Sequence, residues 1–227
     1  MRPLDIRANI RAGIRSRAQT AAAVSFAAIA AIATAAPATA GETGSDNLCS
    51  QQVADAFAKQ RNSSAFRLKA MMINERGVVH MNVDYQLPDR MHQRVKAVVD
   101  PAATETILVG PRAWVTNGSG WQALPLEDTE EIAKIVRETV VEAPKMMSKF
   151  DCLGIVSVDG RQLSAYQAME DKTAPKNSPI RIVYVDPTTG LPARSVVAPE
   201  GNPDRPFVRQ DYSYPTDIKI EPPADVK

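Results

Sequence analysis

Between residues 65 and 86 the chain alternates. In "SAFRLKAMMINERGVVHMNVDYQ", Phe66, Leu68, Ala70 and Met72 are separated by Arg67, Lys69 and Met71. Across a turn near Arg76 and Gly77, Val79, Met81, Val83 and Tyr85 are separated by His80, Asn82 and Asp84. A period of two sends every second side chain to one side of an extended chain. The stretch therefore predicts two antiparallel strands, each with one apolar and one polar face. Such a face has to be covered, and whatever covers it decides the fold.

The same pattern recurs. "MHQRVKAVVD" and "TETILVG" read as a third and a fourth strand, and the tryptophan-flanked turn in "GPRAWVTNGSGWQALP" supplies a fifth and a sixth. A two-residue turn at Asn117 and Gly118 sets Trp114 opposite Trp121 as a cross-strand aromatic pair, whereas a four-residue turn centred on Gly118 and Ser119 breaks that pairing. Strand pairs follow around Asp159 and Gly160 and around "DPTTG", then a long strand in "PFVRQDYSYP" and a short one in "DIKIEPPADVK".

Two stretches have helical spacing. Val53, Ala54, Phe57 and Ala58 predict a first helix over 49–60. "LEDTEEIAKIVRETVVEAP" predicts a second, capped by Asp128 with Glu131 three residues on, striped by Ile132, Ile135, Val136 and Val140, and stopped by Pro144. The fold class is thus α+β and mostly antiparallel β, with about ten strands and two helices. Either the sheet closes into a barrel, or it stays an open, curved half-barrel whose concave face the two helices cover, leaving an apolar cavity between them.

Residues 1–40 read as a segment removed before folding. Arg2, Arg7, Arg11, Arg15 and Arg17 precede the apolar run from Ala21 to Ala33, which ends on the small residues Ala38, Thr39 and Ala40. That is the order of a secretory signal, and the run is shorter than the roughly 20 residues a bilayer-spanning helix needs. The expected product is one exported domain, 41–227, periplasmic or secreted, with no permanent membrane span. The signal holds five arginines and one acid, so its removal takes the formal net charge from +1 to −3. A slightly acidic product does not bind phosphate backbones through bulk charge, which removes nucleic acid as a partner. Cys49 and Cys152, the only cysteines, fit neither a redox nor a zinc spacing, and in an oxidising compartment predict one disulfide.

Catalytic signatures are missing. His80 and His92 both fall on polar strand positions, "NGSG" is turn chemistry, and "VGPRAW" and "VDGRQL" lack the glycines and helix context of a phosphate loop. Glu127, Asp128, Glu130 and Glu131 cluster where a helix's first turn favours acids. The reading is of a non-enzyme with no cofactor and no metal.

Four stretches, in this order, resemble the LolA/LppX-like superfamily of periplasmic half-barrel carriers of lipoproteins or lipids: "YQLPDRMHQRV", "ETILVGPRAWVTNGSGWQALP", "VDPTTGLPARSV" and "DYSYPTDIKIEPP". Together they cover most of residues 49–223. The chain departs from lipid-anchored members in having no cysteine at its cleavage site, and it carries a cysteine pair that the superfamily does not require. The resemblance implies a curved sheet over an apolar cavity, with helices as its lid and a lipid or acylated protein as partner. The residues expected to line that cavity are Phe66, Leu68, Met72, Met81, Val83, Tyr85, Met91, Trp114, Trp121, Ile135, Met146 and Met147. The two tryptophans would form one wall, and Met71, Met72, Met81, Met91, Met146 and Met147 would adapt to irregular ligands. "MMSKF" is the candidate mobile lid. The alternative is a structural or sensory envelope protein with a filled core, acting through contacts with another envelope protein.

Overall fold

Each alternating stretch forms a strand. The computed structural model describes residues 45–75, 77–144, 148–169 and 178–226, all within the unit Thr39–Lys227. Residues 1–40, expected to be an export signal, and Met146 and Met147 lie outside the described residues. A first meander consists of β1 (Ala65–Asn74), β2 (Gly77–Gln86), β3 (Arg90–Ala97), β4 (Asp100–Val109), β5 (Arg112–Thr116) and the short β6 (Gln122–Ala123). A second consists of β7 (Phe150–Val158), β8 (Arg161–Ala168), β9 (Ile180–Val185), β10 (Pro192–Ala198) and β11 (Val208–Ser213).

The first strand pairs with the last, β1 against β11, which fuses the meanders into one antiparallel sheet of order β6-β5-β4-β3-β2-β1-β11-β10-β9-β8-β7. The sheet is open: β6 and β7 are opposite edges and do not pair. The architecture is an α+β half-barrel. Because the chain leaves at one edge and re-enters at the other, the connection from β6 to β7 has to cross the sheet. α2 (Leu126–Val136) and the π-helical turn Arg137–Val141 that extends it lie in that connection.

Directly paired residues share a face in an antiparallel sheet, so the register defines rows across one side. One row is Phe66, Tyr85, Met91, Leu108 and Ala113. The next is Tyr212, Leu68, Val83, Gln93, Thr106 and Val115. A third is Tyr166, Val183, Ser195, Gln210, Ala70, Met81 and Val95. The last is Arg181, Val197, Val208, Met72, Val79 and Ala97. Both helices sit on this face. Val136 is buried with Phe66, Leu68, Val83, Tyr85, Met91, Leu108 and Ala113, while Ile132, Ala133 and Val140 pack against the same cluster.

α1 (Ser45–Arg61) starts four residues earlier than its apolar spacing suggested. Cys49, Val53 and Ala56, at spacings of four and three, form a stripe on Phe150, Tyr166, Val183 and Val185. The predicted disulfide is present, Cys49 to Cys152 with Cα atoms 5.4 Å apart. Beside it the Phe150 amide donates to Ser50 Oγ at 2.9 Å, and the Tyr166 hydroxyl donates to Gln52 Oε1 at 3.0 Å.

Three local expectations are corrected. α2 begins at Leu126, after Pro125 with φ −55 and ψ 156, and no side chain caps it, so Asp128 sits within the first turn. The proline already supplies a backbone angle suited to helix entry, which replaces the polar cap. Trp114 pairs with Ala123 and Val115 with Gln122. Gly118 and Gly120 both take positive φ, 99° and 110°, and the register is that of the four-residue turn centred on Gly118 and Ser119 and not of the two-residue turn, so the indoles are not opposite each other. Finally, "DIKIEPPADVK" forms no strand. Pro222 and Pro223 offer no amide to a ladder, and its β pairing is an isolated parallel bridge from Val226 to Trp121.

Candidate functional site

The two faces of the sheet differ in chemistry. On the outer face, charged residues pair across strands. Arg67 Nε and Nη2 donate to the two Asp84 carboxylate oxygens at 2.6 and 2.8 Å. Arg94 and His92 both reach Glu105, and Arg194 and Arg209 share Asp159 and Asp211. Burial pushes the Glu105 carboxyl up, but the hydrogen bonds from Arg94 and His92 outweigh it and hold the group below its ordinary value. A polar hollow opens here between Arg67, Lys69, Asn82, Asp84, His92 and Arg94. His80 lies exposed on the same face, opposite Lys96.

On the helix-covered face the described strand side chains are apolar or neutral, apart from Arg181. Ring contacts consolidate one end. Phe66 stacks at 4.9 Å on Tyr85 and 6.3 Å from Tyr214, while Phe57 of α1 meets Tyr212 edge-on at 6.2 Å. The polar groups here find partners: Gln60 Nε2 donates to the Tyr214 hydroxyl, which donates to the Pro192 carbonyl at 2.9 Å, and Gln93 Nε2 donates to Met81 Sδ.

Burial raises the phenols of Tyr85 and Tyr214 above their ordinary value of 10.0, and takes Tyr212 to about 12. A phenol whose folded value exceeds its unfolded one contributes stability below pH 10 that is lost as pH climbs toward the folded value. The expected result is a denaturation midpoint that is flat from pH 8 to 9.5 and falls steeply between about pH 10 and 12. Urea titrations, followed together with tyrosinate absorbance, measure it. Replacing Tyr212 and Tyr214 by Phe flattens that limb.

Of the twelve cavity residues expected from sequence, seven lie on the helix-covered face. Phe66, Leu68, Val83, Tyr85 and Met91 are buried in its central cluster, Met81 packs against that cluster, and Met72 sits half-buried in the last row. Met146 and Met147 lie outside the described residues, while Phe150, the last residue of "MMSKF", opens β7 and is buried against α1. Ile135 is half-buried but falls outside the cluster. The buried stripe runs through Thr129, Ile132, Ala133, Val136 and Val140, which leaves Ile135 about a third of a turn to one side.

The tryptophans are a correction. Trp114 is 5% exposed and belongs with Ile107 and Ile220 on the outer face, with Val109, Trp121 and Ile218 packed around them. Arg112 lies over the Trp114 ring at 5.4 Å. The C-terminal segment covers them: Arg90 Nη1 donates to the Ile220 carbonyl at 2.7 Å, and the Ile220 amide donates to Gln86 Oε1 at 3.0 Å. Met71 is on the outer face too, opposite His80. Trp121→Ala should therefore cost about 1–2 kcal/mol of stability and leave uptake of an apolar probe unchanged; thermal melts and probe titrations on the same variant read both.

Sequence reasoning missed Leu108, Ala113, Tyr212, Tyr214 and Arg181. Leu108 was legible as the centre of the apolar run Ile107, Leu108 and Val109; Arg181 was visible only as the odd member of the period-two set Arg181, Val183 and Val185. Among the described residues no group of three or more His, Cys, Asp or Glu side chains could hold a metal ion, and no helix is long and apolar enough to cross a membrane.

Neither a family model nor a curated protein matches the sequence. Solved structures match the fold. LprF from Mycobacterium bovis superposes with a TM-score of 0.54 at 14% identity, over 80% of this chain and 100% of that one. The Mycobacterium tuberculosis lipoprotein LppX superposes with a TM-score of 0.55 at 11% identity, over 78% and 100%. At these identities the likeness is one of fold: the chain has a half-barrel fold like that of LprF and LppX.

Proposed function

We propose that this LppX-like half-barrel is an exported, non-enzymatic carrier or binding protein that holds an acyl chain or similar apolar group against the helix-covered face of its sheet. The observation that carries the reading is an asymmetry between the helices over that face. α1 is tied to β7 by the Cys49–Cys152 disulfide, whereas α2 touches the sheet through a stripe of side chains and is held by no covalent bond besides the chain itself. α2 ends in a π-helical turn followed by Pro144. Lifting α2 exposes the rows through Phe66, Leu68, Val83 and Leu108 to a guest, and burial of the guest at about 0.8 kcal/mol per methylene supplies the affinity. Lid movement of this kind controls entry and release. The disulfide and the signal-like N-terminal segment support export.

The test is extraction and native mass spectrometry of the full chain recovered from the exported fraction. Lipid adducts that disappear on delipidation, and fatty-acid probe uptake by the delipidated protein, are the expected result. Met81→Trp, which adds bulk toward the β3 end of the third row, should reduce that uptake at least about tenfold, the equivalent of 1.4 kcal/mol. Absence of both adducts and uptake rejects the reading in favour of a filled-core protein that works through its surface.

A further inference from the structure

The last row of the helix-covered face differs from the rest. From β9 to β3 it runs Arg181, Val197, Val208, Met72, Val79 and Ala97. The five apolar members are all half-buried, at an end of the face that lies beyond the buried clusters. Arg181 is exposed and closes the row, and it is the one charged group among the described strand side chains of this face.

On the outer face, Arg90 of β3 donates to the Ile220 carbonyl and Arg112 of β5 lies over the Trp114 ring. Arg67, Arg94, Arg161, Arg194 and Arg209, all on the outer face, each have a carboxylate partner. Arg181 has none among the described residues. Its Nε donates to Ser195 Oγ at 3.5 Å, and Ser195 is only 2% exposed in the neighbouring row. The contact turns the guanidinium toward the helix-covered face, close enough that its charge acts on the buried Tyr212 hydroxyl. That hydroxyl donates to Gln210 Oε1 at 3.2 Å. The terminal nitrogens of Arg181, which have no carboxylate partner among the described residues, offer parallel donors to a carboxylate or a phosphate.

Resting on the carrier reading, we propose that the guest is an anionic amphiphile whose carboxylate or phosphate head is held by Arg181 while its chain lies along Val197, Val208, Met72 and Val79. One end of the row matches the charged head and the rest matches the chain. The row also fixes polarity: the tail points from β9 toward β3.

The experiment is displacement of the neutral dye N-phenylnaphthylamine from delipidated protein by palmitic acid, a palmitoyl lysophosphatidic acid and hexadecanol. Wild type should prefer the two anionic competitors over the alcohol by roughly tenfold at low salt, with the preference shrinking as ionic strength rises. Arg181→Gln should bring all three to the alcohol's affinity with an unchanged thermal melt, and Arg181→Lys should recover part of the difference. Preference for only one anionic competitor identifies the head as carboxylate or phosphate. Dye and alcohol binding without any anionic preference, or a preference that survives Arg181→Gln, overturns the role of Arg181 and leaves the carrier reading intact. No binding of dye or competitor overturns both.

Discussion

Cys49→Ser or Cys152→Ser should lower the unfolding free energy by about 4–5 kcal/mol, read as a Tm lower by about 10–15 °C. The bridged residues are 103 apart in sequence, so the bond removes a large loop-closure entropy from the unfolded chain. It also holds the N-terminal half of α1 on Phe150, Tyr166, Val183 and Val185, a surface that becomes wet if the helix detaches. Calorimetry of the oxidised protein, the reduced protein and the two single variants checks this. Agreement among the last three, well below the first, is expected; equal melting of oxidised and reduced protein contradicts it.

Phe66→Ala should cost about 3–5 kcal/mol. The side chain is 3% exposed, lies between the rings of Tyr85 and Tyr214, and shares a cluster with Leu108 and Val136. Removing it leaves a cavity that none of the flanking strands can close without losing ladder hydrogen bonds. Phe66→Leu keeps most of the volume and should cost about 1 kcal/mol. Urea denaturation midpoints distinguish the two, and similar small losses for both would mean that this end of the half-barrel is loosely packed.

Much of the architecture was legible because it is local. β1 and β2 follow from a period of two over Phe66–Tyr85, and the turns at Asp159–Gly160 and "DPTTG" carry their own chemistry. The disulfide follows from two cysteines in a chain whose N-terminal residues read as an export signal. What escaped depends on register and on distant segments. Trp114 sits between Ala113 and Val115 on one parity and Arg112 and Thr116 on the other, so its own strand does not say which face is covered. Pairing with Ile107 and cover from Ile218 and Ile220 decide it. That cover comes from a stretch whose Ile218 and Ile220 have strand spacing but whose prolines prevent a ladder. The loop at 117–120 likewise turns on two glycines that both take positive φ, where a dipeptide rule considers one site. Arg181 gains meaning only once β9, β10 and β11 are laid beside β1.

The central claim is that a guest occupies the helix-covered face under α2. The most direct measurement is photo-crosslinking of a diazirine-bearing fatty acid to the delipidated protein, with adducts located by peptide mass spectrometry. The account predicts adducts on Met72, Met81, Val83 and Leu108 of the sheet and on Ile132 or Val136 of α2. Adducts confined to the outer face, at Trp114, Trp121 or Ile220, or none above an unfolded control, would contradict it.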